Sequence, residues 1–340
     1  VELDWQRHAF HFPDDEGYRL RYLLTDLQRA IRRMTEALAK ERGRPFYLAA
    51  RVSGSLEMCR RIGYDIPTWI DEGLVDILIP AGNAVTDASI DVAGFARLCE
   101  GTDVVLYPGF DSNLPDPFVG PEEQDEKDHL RTRAISSRYH RAGASGIYAF
   151  NWHANRDSKR PLLTTIGSTE SLAGTDKIYA ATHRFIQRQG AWRGAYRIDR
   201  IYGEVPVELV RTLTGEGPTV TLVIAEDFDA HKPTVLQLRL RLNEWVEGDT
   251  VLTWWDGERL GEPVIDYCRL ENPSPPGGAF QPIPRWRDIS EVSSAVWLSW
   301  DFTESGLSPG AHAVRVALRE RNPRIAAALT LTDVEFVVRY

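Results

Sequence analysis

The chain opens on an alternation of apolar and acidic residues, Val1-Glu2-Leu3-Asp4-Trp5, which reads as a buried strand carrying two carboxylates. Burying unpaired acids is expensive, so their presence asks for a reason. After a polar loop at 13–17, Leu20, Leu23, Leu24, Leu27, Ile31, Met34 and Leu38 recur at helical spacing with Arg and Glu on the other face. Gly43 and Pro45 end that helix. Apolar runs at 46–52, 75–80, 104–108 and 146–151 follow as strands. Between them the pattern predicts two short helical pieces at 56–62 and 67–72, and helices over 90–99 and 122–142. A further helix is expected near 176–187.

Five strands alternating with helices imply a parallel sheet with right-handed crossovers. A doubly wound sheet and a (β/α)8 barrel compete. No Gly-rich phosphate turn follows any strand, which removes the main signal for a nucleotide-binding sheet. Polar or aromatic residues instead stand at each strand end: Asp4, Arg51, Asn83, Asp111, and Asn151 with Trp152. A barrel gathers such ends around one mouth. The expected fold class is therefore α/β, a partial TIM barrel comprising strands four to eight, with the first three strand–helix units upstream of Val1. From about Ile198 the period changes to two: Leu236, Leu238, Leu240 and Leu242 alternate with Gln237, Arg239 and Arg241. Val314, Val316 and Leu318 repeat the pattern, as do Val334, Phe336, Val338 and Tyr340, between turns at 256–257, 275–278 and 308–310. This predicts an antiparallel β-sandwich, and a division into domains 1–190 and 191–340.

Composition adds mainly exclusions. With 43% hydrophobic and 26% charged residues the chain is ordinary for a globular protein, and its 340 residues suffice for two cores. A net charge of -9 without any dense Lys/Arg block argues against a nucleic-acid surface. The three cysteines, Cys59, Cys99 and Cys268, are far apart and form neither a disulfide framework nor a zinc pattern. No apolar stretch reaches the roughly 20 residues of a membrane helix, and no signal peptide is legible. No cofactor is implied, localisation stays open, and a homo-oligomer is compatible with all of this.

Glu2 and Asp4 share one face of their strand, roughly 6–7 Å apart along it. Paired carboxylates are what glycosidic cleavage uses: one protonates the leaving oxygen, the other attacks or activates water. An ion pair with Arg7 or Arg51 is the plain alternative for either acid. Arg7 and Arg51 would hang from adjacent strand ends, where guanidinium forks clamp a carboxylate or sugar hydroxyls. His8 and His11 could carry protons near neutral pH. Their spacing is not a metal signature, although a metal-dependent hydrolase using His8, His11 and Asp4 is a third reading. Asn151 and Trp152 suit a sugar, the amide bridging hydroxyls and the indole packing on a ring. Tyr107 and Asp111 offer a similar pair one strand earlier, with core packing the competing role for Tyr107.

Several runs resemble a family. Glu2-Leu3-Asp4-Trp5-x-Arg7, the stretch from Arg51-Val52-x-Gly54-x-Leu56 to Asp76-Ile77-Leu78-Ile79-Pro80, Gly146-Ile147-Tyr148-x-Phe150-Asn151-Trp152, and Leu331-x-Asp333-Val334-Glu335 to Arg339-Tyr340 are similar to glycosyl-hydrolase-like barrel proteins of polysaccharide-degrading bacteria. The chain also resembles glycoside hydrolase family 156, inverting exo-sialidases on a barrel with a C-terminal β-sandwich. That resemblance implies that Arg7 and Arg51 hold the sialic acid carboxylate, that His11 or His8 is the catalytic histidine, and that Asn151 binds the ligand. The family's catalytic aspartate belongs to the first barrel strand, which this chain lacks. The resulting expectation is a glycoside hydrolase with Asp4, Glu2, His11 and His8 as catalytic candidates, and Arg7, Arg51, Asn151, Trp152, Tyr107 and Asp111 as substrate-binding candidates. The alternative is a non-catalytic carbohydrate-binding protein with a truncated barrel.

Overall fold

The computed structural model describes residues 1–6, 11–13, 16–81, 90–110, 121–150, 159–181, 185–187, 200–202, 204–268 and 294–340. These form two compact units: Val1–Ser112 with Tyr139–Trp152 and Gln187–Arg200, and Asn113–Arg138 with His153–Ile186 and Ile201–Tyr340.

The first unit is built on a parallel sheet of β1 (Glu2–Asp4), β2 (Ala49–Ser53), β3 (Ile77–Ala81), β4 (Val105–Leu106), β5 (Gly109–Phe110) and β6 (Tyr148–Ala149). The order is β1-β2-β3-β5-β6, with β4 also on β3. Pro108 explains the division between β4 and β5: it has no N–H to give to the ladder, so the run expected as one strand becomes two short pieces. The crossovers contain α1 (Gly17–Arg42), α2 (Leu56–Ile62), α3 (Ile66–Asp71) and α4 (Val92–Cys99), and α5 (Pro121–Arg141) follows β5 in the chain. Ser55 caps α2 by accepting from Met58 N, and Asp91 caps α4 by accepting from Gly94 N.

Strand parity sorts the side chains. Asp4 lies beside Arg51, and Arg51 beside Ile79, so these residues share one face with Glu2, Ala49, Ser53 and Ala81. Ala50, Val52 and Leu78, of opposite parity, are fully buried on the other face. The sheet is strongly curved. Four strand spacings would separate β1 from β6 by about 19 Å in a flat sheet, yet the Tyr148 hydroxyl donates to Glu2 Oε1 at 2.8 Å.

The expected class, strands four to eight of a (β/α)8 barrel, is not what forms. The molecule is mixed α/β: a parallel half-barrel sheet plus antiparallel sheets. The departure begins after β6. Among the described residues between β6 and β7 (Lys177–Ala180) there are two four-residue helices, α6 (Leu162–Thr165) and α7 (Thr169–Leu172), and β7 stands where the sequence reading expects a helix over 176–187. Period two wins there because the two faces of β7 meet different surroundings. Tyr179 enters the main core of the second unit, whereas Ile178 and Ala180 pack with Leu130 and Val337. Lys177 is buried, donating to the carbonyls of Leu172 at 2.7 Å and Thr175 at 3.0 Å and pairing with Glu226.

Helix α1 is the second correction. An amphipathic surface helix ordinarily turns its apolar stripe to the core. Here Leu24 is buried, but Leu23, Leu27 and Met34 are 47%, 45% and 54% exposed. The face that packs inward carries Thr25, Gln28 and Thr35 instead.

The remaining strands are β8 (Phe185–Gln187) and β9 (Arg200–Tyr202), each divided between the units, and, in the second unit, β10 (Val207–Glu208), β11 (Thr219–Ile224), β12 (Val235–Asn243), β13 (Thr250–Trp255), β14 (Glu258–Arg259), β15 (Val264–Tyr267), β16 (Ala295–Asp301), β17 (Gly310–Glu320) and β18 (Thr330–Arg339). One antiparallel sheet runs β10-β18-β12-β16-β15, with β7 on β18; another runs β11-β17-β13-β14; β8 and β9 form a ribbon. Leu236, Leu238, Leu240, Leu242, Val334, Phe336 and Val338 from the first sheet share a core with Val220, Leu222, Val314 and Val316 from the second. The opposite face of β12 and β18 reads as solvated in the sequence, but it is largely dry: Arg241, Asp333 and Glu335 are buried. Helix α5 covers it, and Arg131 pairs there with Asp333 and Glu335.

Candidate functional site

The concave face of the parallel sheet collects the polar groups. Arg51 is 1% exposed; its guanidinium donates to Asp4 Oδ1 at 2.8 Å and lies 3.9 Å from the centre of the Phe150 ring. Adjacent parallel strands in register put these two side chains opposite one another, so the pair follows from the Asp4–Arg51 alignment. The Asp4 side chain keeps 27% of its surface open. Phe150 supplies a π face beneath the cation, an attraction that grows as water is excluded.

Glu2, one layer below Asp4, accepts from Tyr148. Burial first, and then the hydrogen bond to Glu2, raises the Tyr148 pKa well above the usual tyrosine range, so the phenol stays a donor at neutral pH. Tyr148 reaches Glu2 because Gly109 lies under its ring: a Cβ there would stand 3.0 Å from Tyr148 Cδ1 and 3.1 Å from the Ala81 methyl. Tyr107 packs with Ala49, Ile77, Ile79, Ala81 and Tyr148, with its ring against Gly146. Its surroundings are those of a core residue.

His11 sits at the end of β1 in an aromatic cluster. Tyr64 donates its hydroxyl to the Trp5 carbonyl at 2.7 Å, and His11 Nε2 stands 3.3 Å from both oxygens. The Trp5, Tyr64 and Trp69 rings enclose the corner, with His11 edge-on to Trp5 at 5.5 Å. Burial raises the Tyr64 pKa, and the nearby Asp4 carboxylate adds to this.

The structure thus brings Glu2, Asp4 and Arg51 together on one face, sets His11 at the adjoining strand end, and gives Tyr107 a packing role. Arg7, His8, Asp111, Asn151 and Trp152 lie outside the described residues. Sequence reasoning misses Tyr148 and Phe150 as site residues. Their shared parity was the available signal, since the residues that face the carboxylates must alternate. Chemically, the face offers two carboxylates held by directional donors, a buried guanidinium and aromatic surface, a set that suits polyhydroxylated ligands. Among the described residues no group of three or more His, Cys, Asp or Glu is placed to hold a metal ion. No helix among them is long and apolar enough to cross a membrane.

No protein-family model and no curated protein matches the sequence. Among solved structures the chain has slight likeness to carbohydrate-active enzymes. One is a beta-porphyranase of glycoside hydrolase family 86 from the human gut bacterium Bacteroides plebeius, at 9% identity and a TM-score of 0.25, covering 95% of this chain and 75% of that one. A two-domain esterase active on acetylated mannans matches at 9% identity and 0.21, covering 86% and 79%. A family GH18 chitinase from Chromobacterium violaceum matches at 10% and 0.29, covering 98% and 67%. At TM-scores of this size the likeness assigns neither a fold family nor an activity.

Proposed function

We propose that this chain is a carbohydrate-active protein of glycoside hydrolase type, binding a glycan over the concave face of its parallel sheet. The observation that carries the reading is the constellation Glu2–Tyr148 beside Asp4–Arg51–Phe150: two carboxylates of like parity, one accepting from the Tyr148 phenol and the other from Arg51, whose guanidinium lies over the Phe150 ring. In this reading Asp4, at its strand's carboxyl end and held by the buried Arg51, acts on the glycosidic oxygen or its attacking water, and the more exposed Glu2 orients the sugar. His11, with His8, carries protons, and Arg7 joins Arg51, Asn151, Trp152 and Asp111 in holding the ligand. Residues 1–190 carry the site and 191–340 accompany it. A carboxylated sugar such as sialic acid is the substrate class that the resemblance to family 156 favours, because a guanidinium matches a carboxylate's geometry.

One observation favours a second reading, a carbohydrate-binding protein without catalysis: the Asp4–Arg51 pair is what a purely structural or ligand-positioning acid would make. Hydrolysis assays with the 340-residue chain on aryl glycosides, an aryl sialoside among them, separate the two. Turnover that falls by about 10²-fold or more in Asp4→Asn supports the hydrolase. Binding of the same sugars without turnover, unchanged in Asp4→Asn, overturns it in favour of the binding protein.

A further inference from the structure

Helix α1 is fastened to its unit by polar groups. Thr25 Oγ1 accepts from Trp69 Nε1 at 3.1 Å, Gln28 Nε2 donates to the Leu74 carbonyl at 3.1 Å, and Arg32 grips Asp76 through two bonds of 2.7 and 3.1 Å. Arg29 holds Glu72 in the same two-pronged way. This docking turns a continuous apolar stripe outward: Leu20, Leu23, Leu27, Ala30, Met34 and Ala37. Leu20 is half-buried and the other five are exposed. Their steps of three, four, three, four and three are the heptad seam along which helices pair, sustained for about 26 Å of helix. A contiguous exposed stripe of this kind marks an interaction surface, unlike scattered surface leucines.

We propose that this stripe is the seam of a two-fold symmetric dimer, in which α1 packs antiparallel against α1 of a second copy of this chain. An isologous interface must be complementary to itself, and the stripe is. With Leu20 opposite Ala37, Leu23 opposite Met34 and Leu27 opposite Ala30, the two-fold generates three further layers, and a leucine meets alanine or methionine in all six. The charges agree with that register. It sets Asp26, which also accepts from Arg29 of its own helix at 2.7 Å, opposite Arg33 of the second copy, twice by symmetry, and Arg33 makes no ion pair among the described residues. In a parallel pairing these two positions do not face each other. Arg19 and Lys40, which are like-charged, meet only at the solvated ends, where screening is strongest. The proposal is independent of any activity on sugars.

Sedimentation equilibrium of the full chain at micromolar concentrations tests it. The wild type is expected to be a dimer. Leu27→Glu is expected to raise the dissociation constant by about 100-fold or more, with an unchanged circular dichroism spectrum because the side chain is already exposed in the single copy. Asp26→Arg and Arg33→Asp are each expected to weaken the dimer about 5–10-fold, and the double variant to restore it. A wild type that remains monomeric overturns the proposal and shows that the stripe serves some other occupant. A dimer indifferent to Leu27→Glu, or a double variant no tighter than either single change, overturns it as well.

Discussion

Glu335 is the most stringent test of how the second unit is held together. It is fully buried on the outer face of β18, where Arg131 of α5 binds one carboxylate oxygen and Arg239 of β12 donates to the other at 2.6 Å. Arg239, Lys127 and Arg241 also gather over the Trp297 ring, at 4.8, 5.1 and 5.6 Å. Burial pushes the Glu335 carboxyl up, but the charges of Arg131, Arg239 and Lys127 outweigh it and hold the pKa at about 2, against an ordinary 4.5. Between those two values the unfolded chain binds a proton that the folded chain does not. Stability from this group is therefore fully present above about pH 4.5 and is lost as pH falls toward 2. A drop of that size corresponds to about 3 kcal/mol. Glu335→Gln keeps the shape but leaves the buried Arg131 and the half-buried Arg239 facing a neutral amide, at an expected cost of about 3–5 kcal/mol at pH 7. Urea unfolding followed by tryptophan fluorescence at about pH 7, 5 and 3 measures both effects. The wild type should weaken between pH 5 and 3, and the variant should start weaker and fall less. A variant within about 1 kcal/mol of wild type at pH 7, or one with the same acid loss, would refute the assignment of Glu335 as the centre of this ion layer.

Two smaller perturbations probe the concave face. Gly109→Ala inserts a methyl against the Tyr148 ring and the Ala81 side chain, and should cost about 1–3 kcal/mol in thermal unfolding while displacing Tyr148 from Glu2; a neutral effect would mean that the close approach is relaxed in solution. Tyr148→Phe removes one hydrogen bond at a partly exposed acid, so it should cost about 1 kcal/mol or less. The wild type should also lose stability as pH rises above about 10, because the folded phenol keeps a proton that the unfolded chain releases, and Tyr148→Phe should lose less; identical alkaline slopes would contradict a buried, hydrogen-bonded Tyr148.

The part of the site legible in the sequence is the part encoded by local alternation. Glu2 and Asp4 announce a shared face through parity alone, and Arg51, at the corresponding place in the next strand, is aligned with Asp4 by parallel register. Tyr148 and Phe150 are harder to see because their role depends on curvature, which brings the last strand of the sheet back to the first. His11 is legible as a histidine near the strand end, but not as a neighbour of Tyr64, which is 53 residues away in sequence.

Local patterning was enough to locate most strands and helices, since period and breakers act within a few residues. It also set the inward faces of β12 and β18, whose leucines and valines alternate with polar or charged partners. Long-range contacts settled what those patterns left open. Four residues at 177–180 are too few to display a helical or an extended period, and their pairing with β18 made them a strand. The stripe of α1 is plain in the sequence, yet hydrogen bonds that Thr25 accepts and that Gln28 and Arg32 donate, all with distant partners, turned it away from the core. Whether the polar face of β12 met water or α5 likewise depended on a helix far earlier in the chain. Contacts of that range set the orientation of an element, and periodicity carries no record of them.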